Sequence, residues 1–432
     1  MKALIMGTGW LLLERLLKSL IGITIGVLVA RTLGPEKYGV YAYALTLIIL
    51  LQSVAALGLD AITVRNLTRS RGSASEPDQI MGTVFLLKAT SGLICWAIAI
   101  LILGATPNQS TDSFSVVAIA GFSLLLQASE TFDAWFQSRG ELRPLAIARI
   151  SALLLGTAVK AALIFLCKEP QPAMFAAVFS FEALLTLGSL VYLYVRNSAI
   201  SQWKFDHAMA GAMLLESWPI VFSGIAVAIY MRADQVFIKH YLGESDVGLY
   251  AAVLMISGAF SFLPMLLNSA VAPYFTKLHK EDPPRYMHSL GKLFRIYFIM
   301  GLVISVTISA SADWLVQTLF GSSFQRASDS LRIHAFTNIF IFLSVAQVVW
   351  MINEGKTRIS LWKAVCGAAT STGLNILLIP WLGLAGAAWA ALAAHAASTV
   401  LANAVLAPEI LRLQLGLKSK PRLNDIISTS IK

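Results

Sequence analysis

The sequence predicts an all-α integral membrane protein whose twelve transmembrane helices form two six-helix lobes related by a parallel pseudo-two-fold repeat. Three observations predict it: an apolar composition, twelve apolar windows of spanning length, and two short motifs that each recur about half a chain later. Of 432 residues, 57% are hydrophobic and 13% charged, with mean hydropathy +0.72. An ordinary soluble domain is about one-quarter charged. The excess of 33 Lys and Arg over 23 Asp and Glu would raise nucleic acid as a partner in a soluble protein. In a membrane chain it marks loops held on the cytoplasmic side, so no nucleic-acid partner is expected. Cys95, Cys167 and Cys366 lie far apart, without metal or disulfide spacing, and are expected to be packing residues. No cofactor is implied, and the first apolar segment is expected to be retained rather than cleaved.

A spanning helix needs about 20 mostly apolar residues. The first span, 10–30, must reach back to Trp10 to be long enough before Arg31, which draws Glu14, Arg15 and Lys18 into its inner third. The second, 39–60, ends on Asp60; the third, 81–103, carries Lys88; the fourth, 115–137, carries Glu130 and Asp133. The fifth, 145–167, holds Arg149 and Lys160, and the sixth is 173–195. The polar stretch 196–213 is expected to be a cytoplasmic linker between an N-terminal lobe, 1–195, and a C-terminal lobe, 214–411. The second set of spans is 214–240, 247–275, 289–311, 331–352, 359–380 and 384–407, followed by a basic cytoplasmic tail over 412–432. With the N-terminus inside, twenty-three Lys and Arg fall on the cytoplasmic side and six outside, so both termini are expected to be cytoplasmic. Pro219, Pro264 and Pro380 sit within spans and are expected to kink them.

The repeat rests on "LGPEKYGVYA" (33–42), which returns as "LGESDVGLYA" (242–251), and on "WFQSRGELR" (135–143), which returns as "WMINEGKTR" (350–358). The offsets, 209 and 215, differ by a loop-sized insertion. The members of each pair occupy matching places in the two halves. An even number of spans per half makes both copies enter the membrane in the same direction, the parallel-repeat plan of some transporters.

The stretches "VARTLGPEKYGVYAYALTLIILLQSVAALGLDAITVRNLTR", "YMRADQVFIKHYLGESDVGLYAAVLMIS" and "WFQSRGELR" resemble the polysaccharide export proteins. More narrowly they resemble the Wzx-like O-antigen flippases of the multidrug/oligosaccharidyl-lipid/polysaccharide exporter superfamily. The resemblance implies that fold, the bacterial inner membrane, and a substrate of sugar repeat units on undecaprenyl diphosphate bound for lipopolysaccharide. It also implies that Arg or Lys in a central cavity meets the diphosphate, and that the Arg232-x-Asp234 pair has a conformational or coupling role, placed on Asp234.

Ionisable groups within a span cost at least about 2.5–3.5 kcal/mol at its centre, so they face a cavity or a partner. The substrate-binding candidates are Arg15, Lys18, Lys88, Arg149, Lys160 and Arg232. Arg15 and Lys18 share a face and also suit snorkelling to headgroups. Arg149 and Lys160, about 16 Å apart on one helix face, are expected to form a basic ladder suited to an anion. Lys88 is placed to pair with Glu130 or Asp133, so a structural ion-pair network competes with substrate binding. Arg232 and Asp234 point in nearly opposite directions and are not expected to pair. Asp60, Glu130, Asp133 and Asp234 are the coupling or conformational candidates, and His395 is expected to bond a neighbouring helix.

The expected function is alternating-access flipping of the lipid-linked glycan, driven by the membrane potential or by a coupling ion, H+ or Na+. Membrane lipid and a glycan polymerase are the expected partners. The rivals are a cation-coupled multidrug exporter of the same fold, disfavoured by the expected basic interior, and a membrane glycan polymerase or ligase. The enzyme is disfavoured because no sizeable outside loop or nucleophile, metal or phosphate-loop motif appears.

Overall fold

The structure is a computed structural model that describes residues 2–70, 75–105, 111–196, 198–356 and 358–417. The end of the expected basic tail, 418–432, lies outside the described residues. No strand occurs among them, and eleven helices are long and apolar enough to cross a membrane. The first of these, Leu12–Arg69, has 58 residues, far more than the ~20 one crossing needs. It holds two of the expected spans. Helix α1 (Lys2–Ala55) is broken at Gly34, whose φ of 71° and ψ of 171° are not helical.

By contacts the chain divides into two compact units, one comprising residues 1–252 with 316–326, the other residues 253–315 with 327–432. In the first unit α1 is followed by α2 (Asp60–Arg69), α3 (Glu76–Ala105), α4 (Thr111–Leu126), α5 (Glu130–Arg139), α6 (Leu142–Leu166), α7 (Pro172–Val195), α8 (His207–Tyr241) and the first part of α9 (Glu244–Gly258). The second span thus stops at Ala55, and Asp60 opens a separate helix rather than closing a span. The seventh starts earlier than expected, within the predicted linker. Asp206 accepts a hydrogen bond from the Met209 amide (2.9 Å) and caps α8, satisfying one of the orphan donors of a helix start. The rest of the linker packs on the unit: Trp203 donates to the Tyr194 hydroxyl (2.8 Å) and joins Phe132 and Trp135 in an aromatic core. Because α8 also packs on α1 and α3, these contact units partition the chain differently from the proposed lobes.

The second unit contains α10 (Phe262–Glu281), α11 (Pro283–Ala310), the start of α12 (Ala312–Phe320), α13 (Ala327–His334), α14 (Thr337–Asn353), α15 (Ile359–Leu382), α16 (Leu384–Ala396), α17 (Ala402–Leu406) and α18 (Pro408–Gln414). Its core runs through Tyr286, Phe294, Tyr297, Phe342, Trp350 and Ile410. The eighth span is interrupted at residues 259–261, and Pro264 falls in the first turn after the break. Pro219 and Pro380 lie inside continuous helices. The twelfth span contains a π-helical segment, Ala397–Leu401, next to a buried amide network. There Gln347 and Asn403 exchange hydrogen bonds of 3.0 and 3.1 Å, and Lys363 donates to Gln347. Lys363, one of the twenty-three Lys and Arg expected on the cytoplasmic side, is buried within α15.

The repeated motifs adopt matching backbones. Gly34 and Gly243 both have positive φ, 71° and 97°, a conformation that costs glycine least. The second pair ends its helices identically: Gly140 and Glu141 donate to the carbonyls of Gln137 and Phe136, as Gly355 and Lys356 do to those of Ile352 and Met351. Both turns carry a cation over the preceding tryptophan, Arg139 on Trp135 at 3.9 Å and Lys356 on Trp350 at 4.7 Å. Within the first unit the two copies of the first motif touch reciprocally. A Cβ on Gly39 would stand 1.8 Å from the Glu244 carbonyl oxygen, and one on Gly248 would stand 1.9 Å from that of Pro35.

Candidate functional site

Two cavities lie among the spans of the first unit and share Glu130, Asp133 and Arg149 in their walls. One, of about 610 Å³, also reaches Asp60, Arg65 and Gln137; the other, of about 330 Å³, reaches Glu14, Lys18, Gln52, Gln127 and Glu182. The turn after Ala55 restarts the chain as α2 and puts Asp60 at a helix N-terminus, where the dipole favours a carboxylate. The short 3-10 segment Gln127–Ser129 likewise restarts the fourth span as α5, with Glu130 and Asp133 in its first turn.

The charges are matched across helices. Lys88 of α3, 1% exposed, holds both Asp60 and Glu130, the latter at 2.8 Å. Arg149 of α6 holds Asp133 of α5 and, at 3.3 Å, Glu14 of α1. Lys160 of α6 pairs with Glu182 of α7 at 2.7 Å. Glu182 lies so close across the α6–α7 seam that a Cβ on Gly156 would clash with it. Arg65 and Glu216 form a two-pronged pair at 2.5 and 2.6 Å between α2 and α8. In a low-dielectric interior an unpaired ion costs several kcal/mol, and each deep base here is offset by one or two carboxylates from neighbouring helices.

This geometry corrects the expectation of a basic interior. Arg149 and Lys160 do not present a free ladder, because each is engaged by its own carboxylates. Among the residues that line the cavities, Glu14, Asp60, Glu130, Asp133 and Glu182 outnumber Lys18, Arg65 and Arg149. Hydrogen-bond acceptors are also left over: Asp133 Oδ1 and Gln127 Oε1 are buried and lack a partner among the described residues. Arg15 and Lys18 are exposed and have no ion-pair partner among the described residues. Lys18 lines the smaller cavity.

Arg232 and Asp234 are not joined by an ion pair among the described residues. Asp234 is 3% exposed, accepts the Gln235 amide (2.8 Å) and is engaged by the Tyr250 hydroxyl of α9, whereas Arg232 is half-buried. Next to them Thr46 of α1 donates to Gln235 (2.9 Å), tying the second span to the seventh. His395 is buried in α16 and does not line either cavity. Sequence reasoning missed Glu182. Its signal was present, a carboxylate in the middle of an otherwise uncharged span, the same criterion that selected the bases.

Comparisons with known proteins follow the same lines. The family model described as "Polysaccharide biosynthesis protein" matches residues 4–279, and the one described as MatE matches 219–381. The chain is 20% identical over 448 residues to stage V sporulation protein B of Bacillus subtilis, covering 95% of this chain and 85% of that protein. It is 22% identical over 209 residues to Lsg locus putative protein 1 of Haemophilus influenzae, covering 45% of this chain and 51% of that one. Among solved structures, it resembles an inward-facing multidrug resistance MATE family transporter of the MOP superfamily with a TM-score of 0.75. That match has 13% identity and covers 92% of this chain and 96% of the other. It resembles the lipid II flippase MurJ, in an inward closed conformation, with a TM-score of 0.73, again at 13% identity, covering 97% and 91%. These likenesses show the twelve-helix exporter fold.

Proposed function

Because the chain belongs to the polysaccharide biosynthesis protein family and is a transporter of the MOP superfamily, we propose that it flips an undecaprenyl-diphosphate-linked oligosaccharide repeat unit. The movement runs from the inner to the outer leaflet of the bacterial cytoplasmic membrane, by alternating access of two six-helix lobes with both termini cytoplasmic. The observation that carries this reading is the pair of charged cavities among membrane-spanning helices, of a size that suits a small ligand. Its interior offers carboxylate and amide oxygens to sugar hydroxyls, which donate to such acceptors. Arg15 and Lys18, which are not committed to a carboxylate and of which Lys18 lines the smaller cavity, meet the diphosphate. The matched pairs of Lys88, Arg149 and Lys160 hold the spans together, and Asp60, Glu130, Asp133 and Asp234 change partners as the lobes rock.

An inside-negative potential favours outward movement of negative charge by about 2.3 kcal/mol per charge per 100 mV. The potential therefore drives the step, with or without an H+ or Na+ antiport. Transport in proteoliposomes that ignored an imposed potential while remaining active would remove this driving force from the scheme. The exported unit would then pass to a glycan polymerase.

The test is the sidedness of lipid-linked glycans in cells lacking the protein, read with a membrane-impermeant sugar probe. Intermediates that accumulate and are labelled only after the spheroplasts are opened support the flippase. Intermediates labelled in intact spheroplasts, or never made, point to an enzymatic step instead. A second reading, a cation-coupled multidrug exporter, is favoured by the MatE match and by the excess of carboxylates around the cavities. It predicts efflux of cationic dyes and no change in glycan sidedness.

A further inference from the structure

A third cavity, of about 610 Å³, lies on the other flank of the same helix pair that carries Arg149 and Glu182. It is an apolar groove between α6 and α7, walled by Pro144, Ile147 and Ser151 from one helix and Leu184, Gly188 and Tyr192 from the other. Nothing stands within 4 Å of where a Cβ on Gly188 would point, so the groove is open there rather than filled by a neighbour. Its wall from Pro144 to Ser151 is about 10 Å long. One end is basic: the Arg196 guanidinium lies 5.9 Å over the Tyr192 ring, and Arg143, adjacent to Pro144, lies 5.6 Å from the Trp10 ring of α1. Both arginines are exposed and neither has a carboxylate partner among the described residues. An apolar furrow that ends in two free guanidinium groups and two aromatic rings has the complementarity of an anionic lipid, since arginine suits phosphate and aromatic rings sit at headgroup level.

Resting on the transport reading above, we infer that this groove is the docking site of the carrier lipid, with its phosphate between Arg143 and Arg196 and the first part of its polyprenyl chain between α6 and α7. Of the anionic lipids that match this chemistry, the polyprenyl carrier is the one the transport reading requires. Small residues on the floor, Ser151 and Gly188, leave room for methyl branches. The site also lies at a useful place. Trp10, the partner of Arg143, lies little more than one turn before Arg15 on α1, so a docked headgroup waits close to Arg15 and Lys18.

The experiment replaces Leu184, which is exposed in the groove wall, with p-benzoylphenylalanine. The purified protein is photolysed in vesicles of phosphatidylethanolamine and phosphatidylglycerol containing undecaprenyl diphosphate. Mass spectrometry of the adduct is expected to show the polyprenyl lipid far above its share of the bilayer. Replacing both bases, Arg143→Gln with Arg196→Gln, is expected to lower that adduct by about thirtyfold, as two basic contacts with an anionic headgroup imply. Gly188→Trp, placed in open space, is expected to abolish it while the protein stays folded. Adducts with phosphatidylglycerol or phosphatidylethanolamine in proportion to their abundance overturn the proposal, as does a polyprenyl adduct indifferent to both arginines. Flipping of an undecaprenyl-diphosphate-linked glycan, supplied to parallel vesicles of the same protein, separates the two readings. Flipping without a polyprenyl adduct removes the groove and leaves the transporter, whereas the adduct without flipping removes the flippase and leaves the lipid site.

Discussion

Lys88 gives the sharpest quantitative expectation. Its side chain is 1% exposed, and the two carboxylates that hold it differ in setting, Asp60 being 59% and Glu130 35% exposed. Asp60→Ala alone leaves Glu130 on the ammonium group, and Glu130→Ala alone leaves Asp60. Each loses one charge-assisted hydrogen bond, about 1.5–3 kcal/mol when fully desolvated. Partial exposure reduces this to about 1 kcal/mol for each variant. The double variant is different in kind, because it strands a buried lysine with no counter-charge, a loss of about 3–5 kcal/mol. The pair is thus expected to be non-additive by about 1–3 kcal/mol. Reversible unfolding of the four proteins in mixed micelles measures it directly. Costs that add to within about 0.5 kcal/mol would show that the two acids act independently, and the account of Lys88 as a shared hub would fail.

Further outcomes follow from other contacts. Gly39→Ala and Gly248→Ala each force a methyl group onto a carbonyl oxygen and are expected to cost about 1–3 kcal/mol. Gly211→Ala, a helical glycine with open space around it, is expected to gain about 0.5–1 kcal/mol in the same unfolding assay. Lys160→Ala is expected to lose about 3 kcal/mol by leaving Glu182 unpaired, and the exchanged pair Lys160→Glu with Glu182→Lys to recover most of it. Equal stability of the single and exchanged variants would remove that pair from the framework. The double variant Arg15→Ala with Lys18→Ala is expected to reach normal membrane levels yet export little glycan. Normal export would move the diphosphate elsewhere.

The spans were legible because lipid demands long apolar helices, and the repeat was legible because its glycines are fixed by backbone geometry. The interruptions within single spans were not. Residues 259–261 carry no charge and the π segment at Ala397–Leu401 looks like ordinary helix, whereas the break at Gly34 falls between two expected spans, where Arg31, Glu36 and Lys37 announce it. At the site, Lys88 with Glu130 was visible from spacing, since both are inward charges at similar depth. A basic interior was the wrong expectation because Glu14 and Glu182 find their partners on other helices, where sequence spacing gives no sign of the pairing. The network of Gln347, Lys363 and Asn403 was invisible for a related reason: uncharged amides barely change hydropathy, and Lys363 lies near enough to a helix end to pass for a loop charge.

The reciprocal contact of Gly39 and Gly248 binds the two halves of the sequence in another sense. Each glycine is excluded from change by a carbonyl that belongs to the other copy, so two distant codons share a single constraint. After a duplication, most pairs of equivalent positions are free to drift apart, as the residues between the conserved letters of these motifs have done. A seam made of backbone alone gives drift nothing to trade: a larger side chain on one copy has no smaller one opposite to compensate it. The motif that survives at half-chain spacing is therefore the imprint of the place where neither copy has a side chain to give up.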